Sequence, residues 1–308
     1  MRPESDSLAW PLSPAPPRIK YIRSIYSEDD IGRVYSFKET LFGKSAVAAI
    51  ARPAGIAARN GRIYLADPRM RKVFVLDLIA KRISVLGKEK EFHVPSAVVA
   101  DASGAVYVAD AGNEKVVVYD AQGVYRTAYP IEGCRPRSLA VNDPLRRLYV
   151  VDRSGHRVLV LGLDGKKLFE FGTPGDAAGQ FNSPTDVAIG SKGTVYVLDS
   201  GNFRVQLFDA DGTFLSTFGS AGDRQGMFAN PKGIAIDSDE HVYVVDAAFN
   251  SFQMFDSQGN FMLSVGTLGP RPGQMHLPDG IAIDENDRIY VADQLNRRIQ
   301  VFQYLKTP

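Results

Sequence analysis

One stretch near the middle of the chain decides the fold. It opens as Pro184-Thr185-Asp186-Val187-Ala188-Ile189, continues as Val195-Tyr196-Val197-Leu198-Asp199 and then as Asn202-Phe203-Arg204-Val205-Gln206-Leu207-Phe208. The proline with its small apolar residues predicts a first strand, and the alternating Tyr/Val run that ends in aspartate predicts a second. A third alternating run, an Asp-x-x-Gly turn at 209–212 and a fourth run at 214–219 follow. The stretch therefore predicts a unit of four short strands.

This unit recurs six times, and each copy has an opening proline and an aspartate at the end of its second strand. The prolines are Pro53, Pro95, Pro136, Pro184, Pro231 and Pro278, and the aspartates are Asp67, Asp110, Asp152, Asp199, Asp246 and Asp293. Successive prolines are 42, 41, 48, 47 and 47 residues apart. A period of about 40 to 50 residues with several short strands is typical of a β-propeller. We therefore predict an all-β fold, a six-bladed β-propeller with four-stranded antiparallel blades.

The two ends of the chain predict how the ring closes. The sixth unit lacks its fourth strand, because the chain stops after the third, at residues 303–308. Residues 18–25 alternate as a strand does and can supply the missing one, which would cover an exposed sheet edge. We predict an extended proline-rich arm over residues 1–17 and a single propeller over 18–308. Within the propeller, 18–25 is the closing strand, 26–50 a long connection and 51–308 the repeats.

Composition limits the function classes. The chain has 36 basic and 35 acidic residues, so bulk charge does not indicate a nucleic-acid partner. Cys134 is the single cysteine, which excludes an internal disulfide. No apolar run approaches the roughly 18 residues of a membrane span, so we expect no transmembrane segment. The first 17 residues lack the apolar region of a signal peptide, and the residues themselves leave the localisation open.

The motif within each unit resembles the NHL repeat. The pattern P-x-G-I-A-I-D, then Y-V-x-D, then N-x-R-V-Q-V-F-D-x-x-G-x-F is clearest in the last three units, with motif residues Asn202, Arg204, Gln206, Asn296, Arg298 and Gln300. Repeat one is degenerate, and Ser251 stands where repeat five would have arginine. The proline arm and the run at 18–22 are also similar to the start of bacterial envelope-associated NHL propellers. That likeness implies a periplasmic or cell-envelope protein.

Basic residues are spread unevenly over the face of the propeller on which each blade begins, called here the top face. The loops between blades, and those between second and third strands, emerge on this face. Blade one supplies Arg52, Arg69 and Arg71, blade three supplies Arg135, Arg137 and Arg153, and blade six supplies Arg297. We expect the long connection, 26–50, to lie over or beside the rim of this face near blade one.

Recurrence separates structural basic residues from candidate contacts. Lys115, Arg157, Arg204 and Arg298 recur at one motif position, so we expect them to pair with the strand aspartates. Other top-face residues are not explained by the repeat, and arginine is a frequent anchor for carboxylates and phosphates. We predict that a protein partner, or else an anionic ligand, binds the top face through Arg52, Arg69, Arg71, Arg137, Arg297, Phe203 and Phe249.

Two other functions stay open. His93, His156 and His276 are expected on the top face, and three histidines could bind zinc in a lyase or hydrolase with its site over the central axis. Peptide-amidating lyases, which share the propeller, use such histidines at a recurring position, which only His156 matches here. The six repeated aspartates lie one per blade around a ring, so we expect structural roles for them. We predict no catalytic residue, no metal and no cofactor. Single-stranded RNA binding is the other alternative.

Overall fold

The computed structural model describes residues 8–33, 50–88 and 91–306. Over these ranges, 25 strands form six antiparallel sheets. The first strand of each sheet contacts the first strands of the sheets on either side, and that of the last sheet contacts that of the first. The sheets therefore close a ring around a central axis, and the predicted six-bladed β-propeller is confirmed.

The blades are numbered in chain order, and the strands of each are lettered a to d from the axis outward. The N-terminal segment contributes β1 (Ala9–Trp10) and β2 (Ile19–Ile25). Blade one comprises β3 (Ile56–Arg59), β4 (Arg62–Asp67), β5 (Lys72–Asp77) and β6 (Arg82–Val85). Blade two comprises β7 (Pro95–Ala100), β8 (Val106–Asp110), β9 (Lys115–Tyr119) and β10 (Tyr125–Pro130). Blade three comprises β11 (Pro136–Asn142), β12 (Arg147–Asp152), β13 (Arg157–Gly162) and β14 (Lys167–Phe171).

The remaining blades follow the same order. Blade four comprises β15 (Asp186–Ile189), β16 (Val195–Asp199), β17 (Arg204–Phe208) and β18 (Phe214–Phe218), with a short 3-10 turn at Ser200–Asn202. Blade five comprises β19 (Pro231–Ile236), β20 (Val242–Asp246), β21 (Ser251–Phe255) and β22 (Phe261–Val265). Blade six comprises β23 (Pro278–Ile283), β24 (Arg288–Asp293) and β25 (Arg298–Tyr304), to which β2 and β1 are added.

Small residues at the start of the a strands allow the blades to converge at the axis. A Cβ atom added to Gly55 would lie 2.6 Å from the Cα of Ala97 in the next blade. One added to Gly280 would lie 2.2 Å from the carbonyl oxygen of Ala54, where blade six meets blade one. Real Cβ atoms do not approach backbone this closely, so the glycines at these positions set how tightly the ring closes.

The repeated aspartates hold the loops that lead into each blade. Asp67 accepts hydrogen bonds from the backbone N–H groups of Ala51 and Arg52, both at 2.8 Å. The equivalent bonds elsewhere link Asp199 to Asn182 and Asp293 to His276. Three of the four recurring basic residues also pair with these carboxylates, as expected: Arg157 with Asp152, Arg204 with Asp199 and Arg298 with Asp293. Lys115, the fourth, forms no ion pair with a described residue.

The N-terminal segment closes the last blade, as the sequence predicts. β2 pairs antiparallel with β25, from Ile19 opposite Tyr304 to Ile25 opposite Ile299. β1 lies within the segment predicted as an extended arm, and it pairs with β2 as a fifth strand. The ring of Trp10 meets Phe302 edge-on, with centroids 5.9 Å apart. The described part of the arm therefore folds back along the closing strand, against blade six.

The described part of the long connection runs to blade one. A 3-10 helix at Glu28–Ile31 follows β2, and the buried carboxylate of Glu28 accepts a 2.7 Å hydrogen bond from the backbone N–H of Ile83 in β6. The contact places this turn against the outer strand of blade one. Residues 34–49, which hold most of the segment expected at the top-face rim, lie outside the described residues.

Loop length explains the two repeat spacings. The loops that enter blades four, five and six cover 172–185, 219–230 and 266–277, and each is closed by a parallel bridge, such as Pro174 with Phe181. The loops that enter blades two and three are shorter, at 86–94 and 131–135. The top face is therefore built differently on its two sides, with the shorter loops on blades two and three.

Candidate functional site: a cationic cavity on the top face

A cavity of about 530 Å³ lies on the top face, where blades one, two and three meet. Its charged lining is almost wholly arginine: Arg52 and Arg69 from blade one, and Arg135, Arg137 and Arg153 from blade three. Asp279 and Gln294 of blade six complete its polar wall.

The repeat itself brings the arginines together. Arg52 and Arg135 directly precede the prolines that open blades one and three, and their backbone N–H groups donate to Asp67 and Asp152. Arg69 and Arg153 lie just after those same aspartates, in the turns between strands b and c. Each aspartate thus fixes the loop that carries one arginine and the turn that carries another. The result is one arginine pair on blade one and a second on blade three.

Four of the five arginines pair with no acidic residue in the described part of the chain. Arg137 is the exception, since its guanidinium lies 2.7 Å from Asp279, which also accepts a 3.1 Å hydrogen bond from Gln294. The exposed side chains of the other four form no ion pair with any residue in the described ranges: Arg52, Arg69, Arg135 and Arg153. Arginine stays protonated at any physiological pH, so these four side chains carry positive charges that no acidic side chain in the described ranges pairs with.

A lysine near the cavity is affected by burial and by the surrounding charges. Burial is the main cause that lowers the pKa of Lys232; the negative charge of Asp279 opposes this shift, and the positive charges of Arg137 and Arg153 each lower the pKa by a smaller amount. Burial disfavours the charged form of a lysine, and neighbouring cations disfavour it further. Lys232 therefore adds a basic group to the lining at the axis, beside Arg137 and Asp279.

Blade two gives the cavity an apolar floor between the two arginine pairs. Val94 and Ala111 line it, together with Ser96. The hydroxyl of Ser96 is buried and donates to the carbonyl oxygen of Pro136 at 2.6 Å, so this group is already satisfied. The floor offers aliphatic surface rather than a free side-chain hydrogen-bonding group.

A narrower channel of about 260 Å³ runs along the axis and is lined by the a strands. Asp186 lies in it, accepts a hydrogen bond from the backbone N–H of Ile234 at 2.8 Å and another from the hydroxyl of Ser138. Burial raises the pKa of Asp186 to about 6, and these hydrogen bonds and Arg137 only partly oppose the rise. Asp186 thus ties the a strands of blades three, four and five together.

The cavity is lined by three of the seven residues predicted as top-face contacts: Arg52, Arg69 and Arg137.

The other four predicted contacts lie outside the cavity. Three of them share one turn position, four residues after the strand-b aspartate, with φ of 55°, 55° and 54°: Arg71, Phe203 and Arg297. Arg71 donates from Nε to the carbonyl oxygen of Phe92 at 3.1 Å, across the junction with the next blade. Phe203 packs on the core cluster that contains Phe228. Phe249 is half-buried in the equivalent turn of blade five, outside the cavity.

Two arginines of the cavity were not singled out from the sequence. Arg135 and Arg153 belong to the basic loops of blade three, but their spatial pairing with Arg52 and Arg69 was not inferred. A signal was present, since Arg135 precedes Pro136 just as Arg52 precedes Pro53.

The histidines are dispersed. His93 lies 3.2 Å from the carbonyl oxygen of Gly112, and His156 lies 3.1 Å from that of Phe181. In the described ranges, no three His, Cys, Asp or Glu side chains come close enough together to hold a metal ion.

Among the residues that the structure describes, no helix is long and apolar enough to cross a membrane.

The comparison with protein families agrees with the propeller fold. The family model of the NHL repeat matches residues 134–161 and 181–208. No curated protein matches the sequence significantly.

Solved structures share the fold at low identity. Catalytically inactive virginiamycin B lyase from Staphylococcus aureus with quinupristin is 13% identical, with a TM-score of 0.65 over 93% of this chain and 100% of that chain. A gluconolactonase from Xanthomonas campestris is 16% identical, with a TM-score of 0.64 over 83% and 86%. An auxiliary nutrient binding protein from Bacteroides thetaiotaomicron is 12% identical, with a TM-score of 0.67 over 83% and 70%. Enzymes and binding proteins both occur among them, so the likeness extends to the fold alone.

Proposed function

The chain is an NHL-repeat β-propeller, and we propose that it is a non-catalytic binding module whose top-face cavity takes an acidic segment of a protein partner. The observation that carries the proposal is the set of four arginines that line one cavity without an acidic partner among the described residues. Holding like charges together is unfavourable, and a carboxylate between them would relieve the repulsion. Arginine also binds carboxylates through two parallel hydrogen bonds, and this geometry fixes the orientation of the carboxylate relative to the guanidinium.

Two features favour a protein over a nucleic acid. Binding of single-stranded nucleic acids without sequence preference uses aromatic side chains on which bases stack. The described residues that line the cavity include no aromatic side chain. The chain has 36 basic and 35 acidic residues, so it also carries no large net positive charge to attract a phosphate backbone.

A binding assay with a charge-reversed cavity tests the proposal. The probe is a fluorescently labelled peptide of eight glutamates, and its affinity is measured by anisotropy at low and at physiological salt. We expect Arg52→Glu/Arg69→Glu to weaken binding at least about tenfold and to reduce its salt dependence. The melting temperature should stay nearly unchanged, because both side chains are exposed.

The matched control reverses two exposed basic residues at the opposite end of the propeller, Lys192→Glu/Arg288→Glu. It makes the same change in net charge and should retain most of the affinity. Equal losses in the two double variants would show that only net charge matters, and an absence of binding to the original protein would remove the proposal.

A further inference from the structure

The cavity combines two arginine pairs with an apolar floor between them. Arg52 and Arg69 come from blade one, Arg135 and Arg153 from blade three, and Val94 with Ala111 from the blade between. From this order, and resting on the proposed function, we infer that the partner presents an extended peptide in which an aliphatic side chain is flanked on both sides by acidic side chains.

The charges require two separate acidic groups. The two arginine pairs belong to blades that are separated by a third blade, so each pair is an independent site for a carboxylate. Each pair is held by its own strand aspartate, Asp67 or Asp152, through backbone hydrogen bonds. A single carboxylate would leave the other pair unmatched, and a bivalent ligand gains because its second contact forms intramolecularly.

The floor requires an apolar group between the acidic ones. Val94 is 37% exposed, which is a substantial fraction for an aliphatic side chain in a cavity. The nearby hydroxyl of Ser96 is already used by Pro136. A polar group placed on this floor would lose water without gaining a hydrogen bond from these side chains, whereas an aliphatic group would gain from burial.

The geometry of an extended peptide predicts a sequence pattern that places two acidic groups and one aliphatic group on the same side. Side chains at i, i+2 and i+4 of an extended chain point to the same face, and i to i+4 spans about 13 Å. The pattern acidic-x-aliphatic-x-acidic therefore places all three groups on the cavity side. Asp279 is held by Arg137 and Gln294 at the inner wall, so the acidic groups are expected to bind the four outer arginines.

Four peptides of equal length test the inference, each acetylated and amidated. The parent has Glu-Ser-Leu-Ser-Glu at its centre, and the second replaces the leucine by serine. The third replaces the first glutamate by glutamine, and the fourth rearranges the centre to Glu-Ser-Glu-Ser-Leu. We expect the parent to bind about tenfold tighter than the serine peptide, since an aliphatic side chain is buried. The glutamine and rearranged peptides should each lose at least about threefold.

A protein variant tests whether the higher affinity of the leucine peptide arises from contact with Val94. Val94→Ser should abolish the preference for leucine over serine, so that the variant binds the two peptides with equal affinity. The matched control is Val124→Ser, an equally small change at a valine that is 55% exposed outside the cavity, and it should keep the preference.

The outcomes distinguish this inference from the proposed function. If the parent, serine and rearranged peptides bind equally, the patterned ligand is wrong and the cavity binds acidic segments by charge alone. If none of the peptides binds, the proposed function fails as well. If single-stranded oligouridylate binds tighter than the parent peptide and competes with it, the ligand is a nucleic acid and the inference is overturned.

Discussion

Arg137 of blade three donates to Asp279 of blade six at 2.7 Å, and the pair joins blades on opposite sides of the ring. Both side chains are mostly buried, with 22% and 15% of their surface exposed. The pair lies where the top-face cavity meets the axial channel, because the two residues line both. It therefore links the cavity wall to the opposite half of the propeller.

Breaking this pair should destabilise the protein more than breaking an exposed one. We expect Arg137→Ala or Asp279→Ala to lower the free energy of unfolding by about 1 to 3 kcal/mol, because the partner is left partly buried without its counter-charge. A double-mutant cycle followed by urea unfolding measures the coupling. The control pair is Arg147 with Asp211, of which the aspartate is 75% exposed, and its coupling should be about 0.5 kcal/mol or less. Similar couplings in both cycles would contradict this account.

The closing strand should be essential for the stability of blade six. Removing residues 1–25 takes away β2 and the buried side chains of Ile19 and Ile25, and it exposes the edge of β25. We expect a lower melting temperature and aggregation through the free edge, measured by calorimetry and light scattering. A chain shortened only to Leu8 retains both N-terminal strands and is the control. A monomeric 26–308 chain with an unchanged melting temperature would refute the prediction.

Asp186 should make stability depend on pH in a defined direction. Its pKa in the folded protein is raised to about 6 by burial, above the ordinary value of about 4 in the unfolded chain. Its contribution to stability is therefore fully present below pH of about 4, and it is lost as the pH rises through about 6. Asp186→Asn lacks this loss, so the free energy of unfolding of the variant should rise relative to the original protein between these values. Parallel pH profiles in urea unfolding would show that Asp186 does not titrate in this way.

Cys134 should be unreactive in the folded protein. Burial, with the nearby charge of Asp152, raises the pKa of its thiol to about 12, and the side chain is fully buried. We expect no reaction with a thiol reagent at pH 8 over hours, and one equivalent of reaction in denaturant. Rapid labelling of the native protein would place the thiol in a more accessible setting.

The sequence predicts the fold and the closing strand because both follow from local patterns. The opening prolines and the strand aspartates mark every blade, and the missing fourth strand of the last unit points to residues 18–25. The role of the aspartates is predictable too, since a carboxylate at a strand end meets free backbone N–H groups.

The candidate site is predictable only in part, because it depends on distances across the ring. Arg137 and Asp279 are separated by 142 residues, and no local pattern pairs them. Arg71 and Arg297 look unrelated in the sequence, yet they share one left-handed turn position with Phe203. Alignment of the turns from the strand aspartates reveals that shared position, whereas the grouping of Arg52 with Arg135 and Arg153 requires the closed ring.

Arginine footprinting tests the central claim most directly, because it locates anion binding in the protein without any substitution. Phenylglyoxal labelling is quantified by mass spectrometry with and without the octaglutamate peptide. We expect the peptide to slow labelling several-fold at Arg52, Arg69, Arg135 and Arg153, and to leave labelling of Arg224 in the blade-five loop and of Arg146 on the opposite face unchanged. Unchanged labelling of the four cavity arginines under saturating peptide, or equal protection of Arg224 and Arg146, would contradict the central claim.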